Sequence, residues 1–158
     1  NSFLTAPRRL NFSRNGLIDW RMVGVFAKNI VSNFDVRTTS VDALASSLSG
    51  GNLQKFIVGR EMLQKPQLMI VAQPTWGVDA GAAAAIHAKI QRLVTAGAAV
   101  LVISQDLDEI FLLSDRIAVI SQGTLSSTSP ASDLTPEDVG LLMGVRHTKQ
   151  EKTGYASA

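Results

Sequence analysis

The sequence predicts an α/β fold, on three observations. Leu68-Met69-Ile70-Val71 is short and wholly apolar, as a buried parallel strand is. Val100-Leu101-Val102-Ile103 repeats that pattern within 98–104. Helical periodicity lies between the two runs, and strand–helix–strand–helix order implies a sheet covered on both faces.

Taken in order, residues 1–14 mix Pro7, three arginines and asparagine without a period and read as a loose lead-in. Over 17–34, Ile18, Met22, Val25, Phe26, Ile30 and Phe34 recur at gaps of three and four, the spacing of an amphipathic helix. A polar connector, 35–47, follows. A second helix opens at Ser49-Gly50-Gly51, places Leu53, Phe56, Ile57 and Leu63 on one face, and stops before Pro66. The alanine-rich segment 80–96 is helical and ends at Gly97. After the second strand come a helix over about 107–113 and a hairpin, 116–120 with 124–127, turning at Gln122-Gly123. A last helix covers 136–143, and the tail after Val145 reads as mobile. By these elements, about 15–65 reads as mainly helical, about 66–145 as a sheet portion and 146–158 as a tail.

The 158 residues are 46% hydrophobic, enough for one domain with a core. There is no cysteine, so no disulfide and no cysteine-based metal site. A net charge of +2, with basic residues clustered only at Arg8-Arg9 and over 146–152, lacks a nucleic-acid footprint. No apolar run reaches the roughly 20 residues that span a bilayer. The opening Asn1-Ser2-Phe3-Leu4 shows no signal pattern and reads as the start of a piece of something longer.

The chemistry concentrates at Leu48-Ser49-Gly50-Gly51-Asn52-Leu53-Gln54-Lys55. Two glycines ahead of an amphipathic helix expose backbone N–H groups at its positive end, and Ser49 adds a hydroxyl, a set suited to a phosphate. A plain serine N-cap with a glycine turn has the same letters. Context separates the two. About twenty residues on, the apolar strand ends in Ala72-Gln73-Pro74-Thr75, followed by Gly77-Val78-Asp79. Some thirty residues later the second strand ends in Ser104-Gln105-Asp106, followed by Leu107-Asp108-Glu109 and Ser114-Asp115-Arg116-Ile117.

This order and spacing resembles the ABC ATPase family. LSGGN matches the signature, 68–75 the Walker B strand, 77–79 the D-loop and 104–106 the switch loop. Gln54-Lys55, AQPTWGVDAGA, ISQDLDEI and LSDRIAVI are similar to the second ATPase half of double-ATPase subunits in bacterial importers of simple sugars and nucleosides. So are Gly16-Leu17-Ile18-Asp19-Trp20 and Gly140-Leu141-Leu142-Met143-Gly144. The resemblance covers about 16–144. It implies a partial P-loop nucleotide-hydrolase sheet with a helical subdomain, its phosphate-loop portion missing, since G-x-x-x-x-G-K-[ST] occurs nowhere.

Against that family the chain departs at three positions. Walker B ends in Asp-Glu, one for Mg²⁺ and one to polarise water; here the pair is Ala72-Gln73, and Gln105 replaces the switch histidine. Losing a positioned general base costs about 10²–10⁴ in rate, so the chain's own site is expected to be degenerate, with no metal ligand. In the family's head-to-tail dimer a signature serves the partner's ATP. Ser49, Gly50, Gly51, Asn52 and Gln54 are therefore expected to bind nucleotide in trans, and Asp79 to cross to the partner, although Gly-x-Asp is also an ordinary turn.

Other residues carry blander expectations. Asp108 and Glu109 read as favourable first-turn charges, His87 and His147 as surface residues, and Trp20 and Trp76 as packing residues. The resemblance further implies ATP and Mg²⁺ for the full-length parent and neither for the isolated chain. Its partners would be another ATPase half, transmembrane permease subunits touching 17–47, and indirectly a substrate-binding protein. The place would be the cytoplasmic face of the inner membrane, peripherally. Missing sheet neighbours predict self-association of the chain. A non-transport ABC protein, or a phosphate-binding or scaffold module without ATPase activity, remains as an alternative.

Overall fold

An aspartate, a serine and two more aspartates (Asp19, Ser49, Asp79 and Asp106) start helices in turn, each by accepting a backbone N–H from three residues on. The computed structural model describes residues 1–5, 10, 12–14 and 16–144; Arg8-Arg9, His147 and the tail after Val145 lie outside them. The chain divides into two units, Asn1–Gln105 and the residues from Asp106 on.

In the first unit, β1 (Ser13–Arg14) pairs antiparallel with β2 (Leu17–Ile18). Leu17 and Ile18 are thus strand, and the helix expected over 17–34 begins later. Asp19 is its N-cap, accepting from Met22 N–H at 3.0 Å, and α1 runs Trp20–Asn33. It buries Val23, Phe26, Ala27 and Ile30. Phe12, in the stretch read as a lead-in, is buried in the same core, its ring 5.4 Å from that of Phe26. Trp20, expected to pack, is 68% exposed, with the Phe3 ring 6.3 Å from its own.

A 3-10 turn, Ala45–Ser47, leads into α2 (Gly50–Met62), capped by Ser49. Its buried residues are Val58, Gly59 and Met62, not the expected face. Leu53 is half-buried, Ile57 is exposed, and Phe56 and Leu63 pack only partly buried against the α1 core. The helix rolls because Gly59 admits the Phe34 ring: a Cβ there would stand 2.6 Å from Phe34 Cδ2.

Strand β3 (Leu68–Ala72) and β4 (Ala99–Ile103) pair in parallel, Leu68 opposite Ala99 and Ala72 opposite Ile103. Helix α3 (Ala80–Thr95) joins them and contacts β4. The strands are not covered on both faces as expected. Met69 and Val71 are buried, whereas Leu68, Ile70, Leu101 and Ile103 are 48–63% exposed. Period-two alternation puts those four side chains on one open, apolar face.

In the second unit, Asp106 caps α4 (Leu107–Leu113) by accepting from Glu109 N–H at 3.2 Å. The first-turn carboxylates Asp108 and Glu109 stand where expected, and Glu109 is buried. The hairpin is interrupted: β5 (Arg116–Ile117) pairs with β8 (Ser129–Pro130), and β6 (Ile120–Ser121) with β7 (Thr124–Leu125). The break lies where Ser126 Oγ, rather than a carbonyl, accepts the Val119 N–H at 2.9 Å. Gln122 and Gly123 both take positive φ in the β6–β7 turn, as a primed turn demands. Helix α5 (Pro136–Gly144) closes a core of Ile117, Val119 and Val139.

Candidate functional site

A cleft of about 290 Å³ lies in the first unit at the N-terminal end of α2. Ser49, Gly50, Gly51 and Asn52 form one wall, and Gly77, Val78 and Asp79 form the other. Residues some thirty positions apart meet because Gly51 has no side chain. A Cβ there would stand 2.9 Å from Gly77 O and 3.5 Å from Val78 Cα.

The Ser49 hydroxyl accepts from Asn52 Nδ2 at 2.9 Å and Asn52 N–H at 3.4 Å. Asn52 Oδ1 accepts the Arg37 N–H at 2.8 Å, so one amide ties the helix start to the connector. Arg37 and Lys55 complete the lining and put two cations in the cleft. Lys55 closes the stretch quoted from sequence, where no role was given to it, and no local pattern marks Arg37. Lys55 Nζ also donates to Asp35 O at 3.2 Å and lies 3.6 Å from its carboxylate.

Asp79 is exposed and caps α3, accepting from Ala82 N–H at 2.9 Å. That bond holds its carboxyl below the ordinary value, and the Lys55 ammonium lowers it further against a smaller effect of burial than the bond's. Gln54, expected among the nucleotide contacts, does not line the cleft. Its Nε2 donates to Gln73 O at 2.9 Å and Pro74 O at 3.2 Å.

At the carboxyl ends of the strands, where ligands bind in open α/β sheets, stand Ala72, Gln73 and Gln105. Ala72 and Gln105 are exposed and Gln73 is half-buried. The Gln73 N–H donates to Ile103 O at 2.8 Å, which brings the two strand ends together. Gln73 has φ +50°, a left-handed conformation that disfavours a side chain. Alanine offers no ligand atom, and Gln73 and Gln105 offer neutral amides where a carboxylate would hold the ion. The residues present do not fit a Mg²⁺ site. Trp76, expected to pack, is 74% exposed beside the cleft wall, and His87 is half-buried on α3.

No family model matches the chain. It is 44% identical over 131 residues to the nucleoside import ATP-binding protein NupA of Lactococcus lactis subsp. cremoris, covering 83% of this chain and 26% of that protein. It is 41% identical over 145 residues to the glucose import ATP-binding protein TsgD13 of Haloferax volcanii, covering 90% and 26%. The chain thus spans about a quarter of the length of these curated relatives. Among solved structures, the ATP-binding cassette MJ0796 in a dimeric post-hydrolysis state bound to ADP and Pi matches with a TM-score of 0.65. Identity there is 20%, over 77% of this chain and 53% of that one. An ATP-binding subunit of an ABC transporter matches with a TM-score of 0.67 at 16% identity, over 92% and 64%. At these identities the likeness is one of fold.

Proposed function

From a chain that belongs, in sequence and fold, with the ATP-binding proteins of ABC importers, we propose the C-terminal part of an ATPase half that works on its partner's nucleotide. The observation that carries this reading is the pairing of an intact cleft with an empty-handed strand end. Ser49, Gly50, Gly51 and the Asp79 turn line one accessible cleft, while the positions for metal and general base hold Ala72 and Gln73.

The proposed chemistry is electrostatic. Gly50 and Gly51 open α2 at the cleft, and a helix N-terminus favours an anion. Asn52 keeps the Ser49 hydroxyl in place, and Arg37 and Lys55 add positive charge. Such a surface grips a terminal phosphate presented from across an interface and leaves water activation to the partner. Gln73 has the shape of glutamate but takes no proton, and Gln105 replaces an imidazole by an amide. This half's own strand end therefore contributes no general base, a loss of about 10²–10⁴ in rate.

In this reading the parent protein takes ATP and Mg²⁺, pairs with another ATPase half, and drives permease subunits at the cytoplasmic face of the membrane. A substrate-binding protein feeds that permease. The solute is a simple sugar or nucleoside, as for the nucleoside and glucose import proteins the chain resembles. Among the described residues no helix is long and apolar enough to cross a membrane.

The count of ATP hydrolysed in the first turnover of the assembled importer tests this. One ATP per pair of ATPase halves is expected; two per pair would sink the reading.

A further inference from the structure

The Gln54 side chain belongs to the helix that opens on the cleft, yet it does not line the cleft. Its part-buried amide spans to the strand-end turn, donating to two successive carbonyls, Gln73 O at 2.9 Å and Pro74 O at 3.2 Å. Gln73 is held left-handed, φ +50°, at the first residue after β3. A non-glycine residue keeps that conformation only where its surroundings over-determine it. Three bonds do so here. Gln73 N–H donates to Ile103 O at 2.8 Å, and Gln73 O accepts from Trp76 N–H at 3.2 Å as well as from Gln54. Pro74 is fully buried and has no N–H of its own, so its own outside hold comes through its carbonyl.

The turn ends at the cleft wall. Val78 N–H donates to Thr75 O at 3.3 Å, and Gly77 O lies against Gly51. The Gln54 bonds and the Gly51 approach thus join the same two segments at two points, three residues apart on α2. Two attachments fix an orientation that one leaves free to pivot.

We infer that Gln54 is a positioning residue, which locks the 73–79 turn onto α2 so that the two walls of the cleft act as one rigid surface. This rests on the proposed reading of the cleft as the partner's phosphate site. Its physical part, the lock itself, does not.

The test uses the full-length protein assembled with its partners. Gln54→Glu has nearly the same shape but sets a carboxylate against two carbonyl oxygens; Gln54→Met fills the space without donating; Gln54→Lys retains a donor. Hydrogen-exchange protection of the Trp76 and Val78 amides reads the lock, and that of amides in the middle of α2 reports the fold. Protection at Trp76 and Val78 is expected to fall at least tenfold in Gln54→Glu and Gln54→Met while mid-α2 stays protected. Gln54→Lys is expected to stay within a few-fold of wild type. ATP turnover should follow, with kcat reduced about tenfold and KM for ATP nearly unchanged. Wild-type protection in Gln54→Glu and Gln54→Met, or an equal loss in Gln54→Lys, would overturn the lock. Loss of protection with normal turnover would keep the lock and overturn the reading of the cleft.

Discussion

Gly51 and Gly77 meet backbone to backbone: a Cβ on Gly51 would come within 2.9 Å of the Gly77 carbonyl oxygen. The neighbour is main chain, held on its far side by the 73–78 turn bonds, so it has little room to yield. Gly51→Ala is therefore expected to spread the cleft walls and to destabilise by about 1–3 kcal/mol, the usual cost of overpacking. ATP turnover of the assembled protein should fall more than tenfold while the melting temperature drops only a few degrees. Turnover within twofold of wild type would show that the approach has no functional weight.

The open face of the two-stranded sheet gives a prediction about association. Leu68, Ile70, Leu101 and Ile103 form an exposed aliphatic patch, and such patches drive self-association. The chain on its own should scatter light as dimers or larger species at tens of micromolar, roughly the range for a modest apolar contact. Leu101→Lys, with its ammonium free to reach water, should shift the population toward monomer and leave the circular dichroism intact. A strictly monomeric wild-type chain at high concentration would count against the patch.

Much of this was legible in the sequence, and the limits have physical causes. The Ser49 cap and the bounds of α4 follow from local chemistry, in which a polar residue before an apolar period satisfies the free N–H groups of a helix start; Asp79, which the sequence offers as a turn, caps α3 by the same rule. Leu17-Ile18 misled because Ile18 and Met22 are spaced as on a helix, and a two-residue strand leaves no period of its own. The interrupted hairpin turns on one hydroxyl, that of Ser126, standing in for a carbonyl. The cleft motif was visible, but Arg37 comes to it with the Asn52 bond across fifteen residues. The resemblance implies a nucleotide contact for Gln54, whereas the bonds of its amide to the 73 and 74 carbonyls are a matter of packing, which the letters do not carry.

Asp79 links the cleft wall to acid stability. Its folded pKa lies below the ordinary 3.8, chiefly because Ala82 N–H donates to the carboxylate. Its contribution is therefore complete above about pH 3.8 and is lost as the pH falls through the lower, folded value. Asp79→Asn keeps a good N-cap but does not titrate. Its unfolding curve should be flatter than wild type below pH 4, a comparison that circular dichroism along an acid titration makes directly. Asp138, also lowered by its Thr135 hydroxyl, titrates in both proteins and cancels from the difference. Superimposable acid limbs would remove the carboxylate from the account.

The central claim is that this chain's cleft, and not its own strand end, serves catalysis. Steady-state ATPase and uptake of Ser49→Arg and Gln73→Glu, measured beside wild type in the assembled importer, test it most directly. Ser49→Arg sets a bulky cation at the positive end of α2, in the space where the partner's phosphate would sit, and should abolish coupled turnover. Gln73→Glu repairs one group only: Ala72 still offers no ligand and Gln105 still stands for histidine, so turnover should change by less than about twofold, far short of the 10²–10⁴ that a working general base confers. Near-normal turnover in Ser49→Arg together with a strong rise in Gln73→Glu would contradict the account and reverse the two sites.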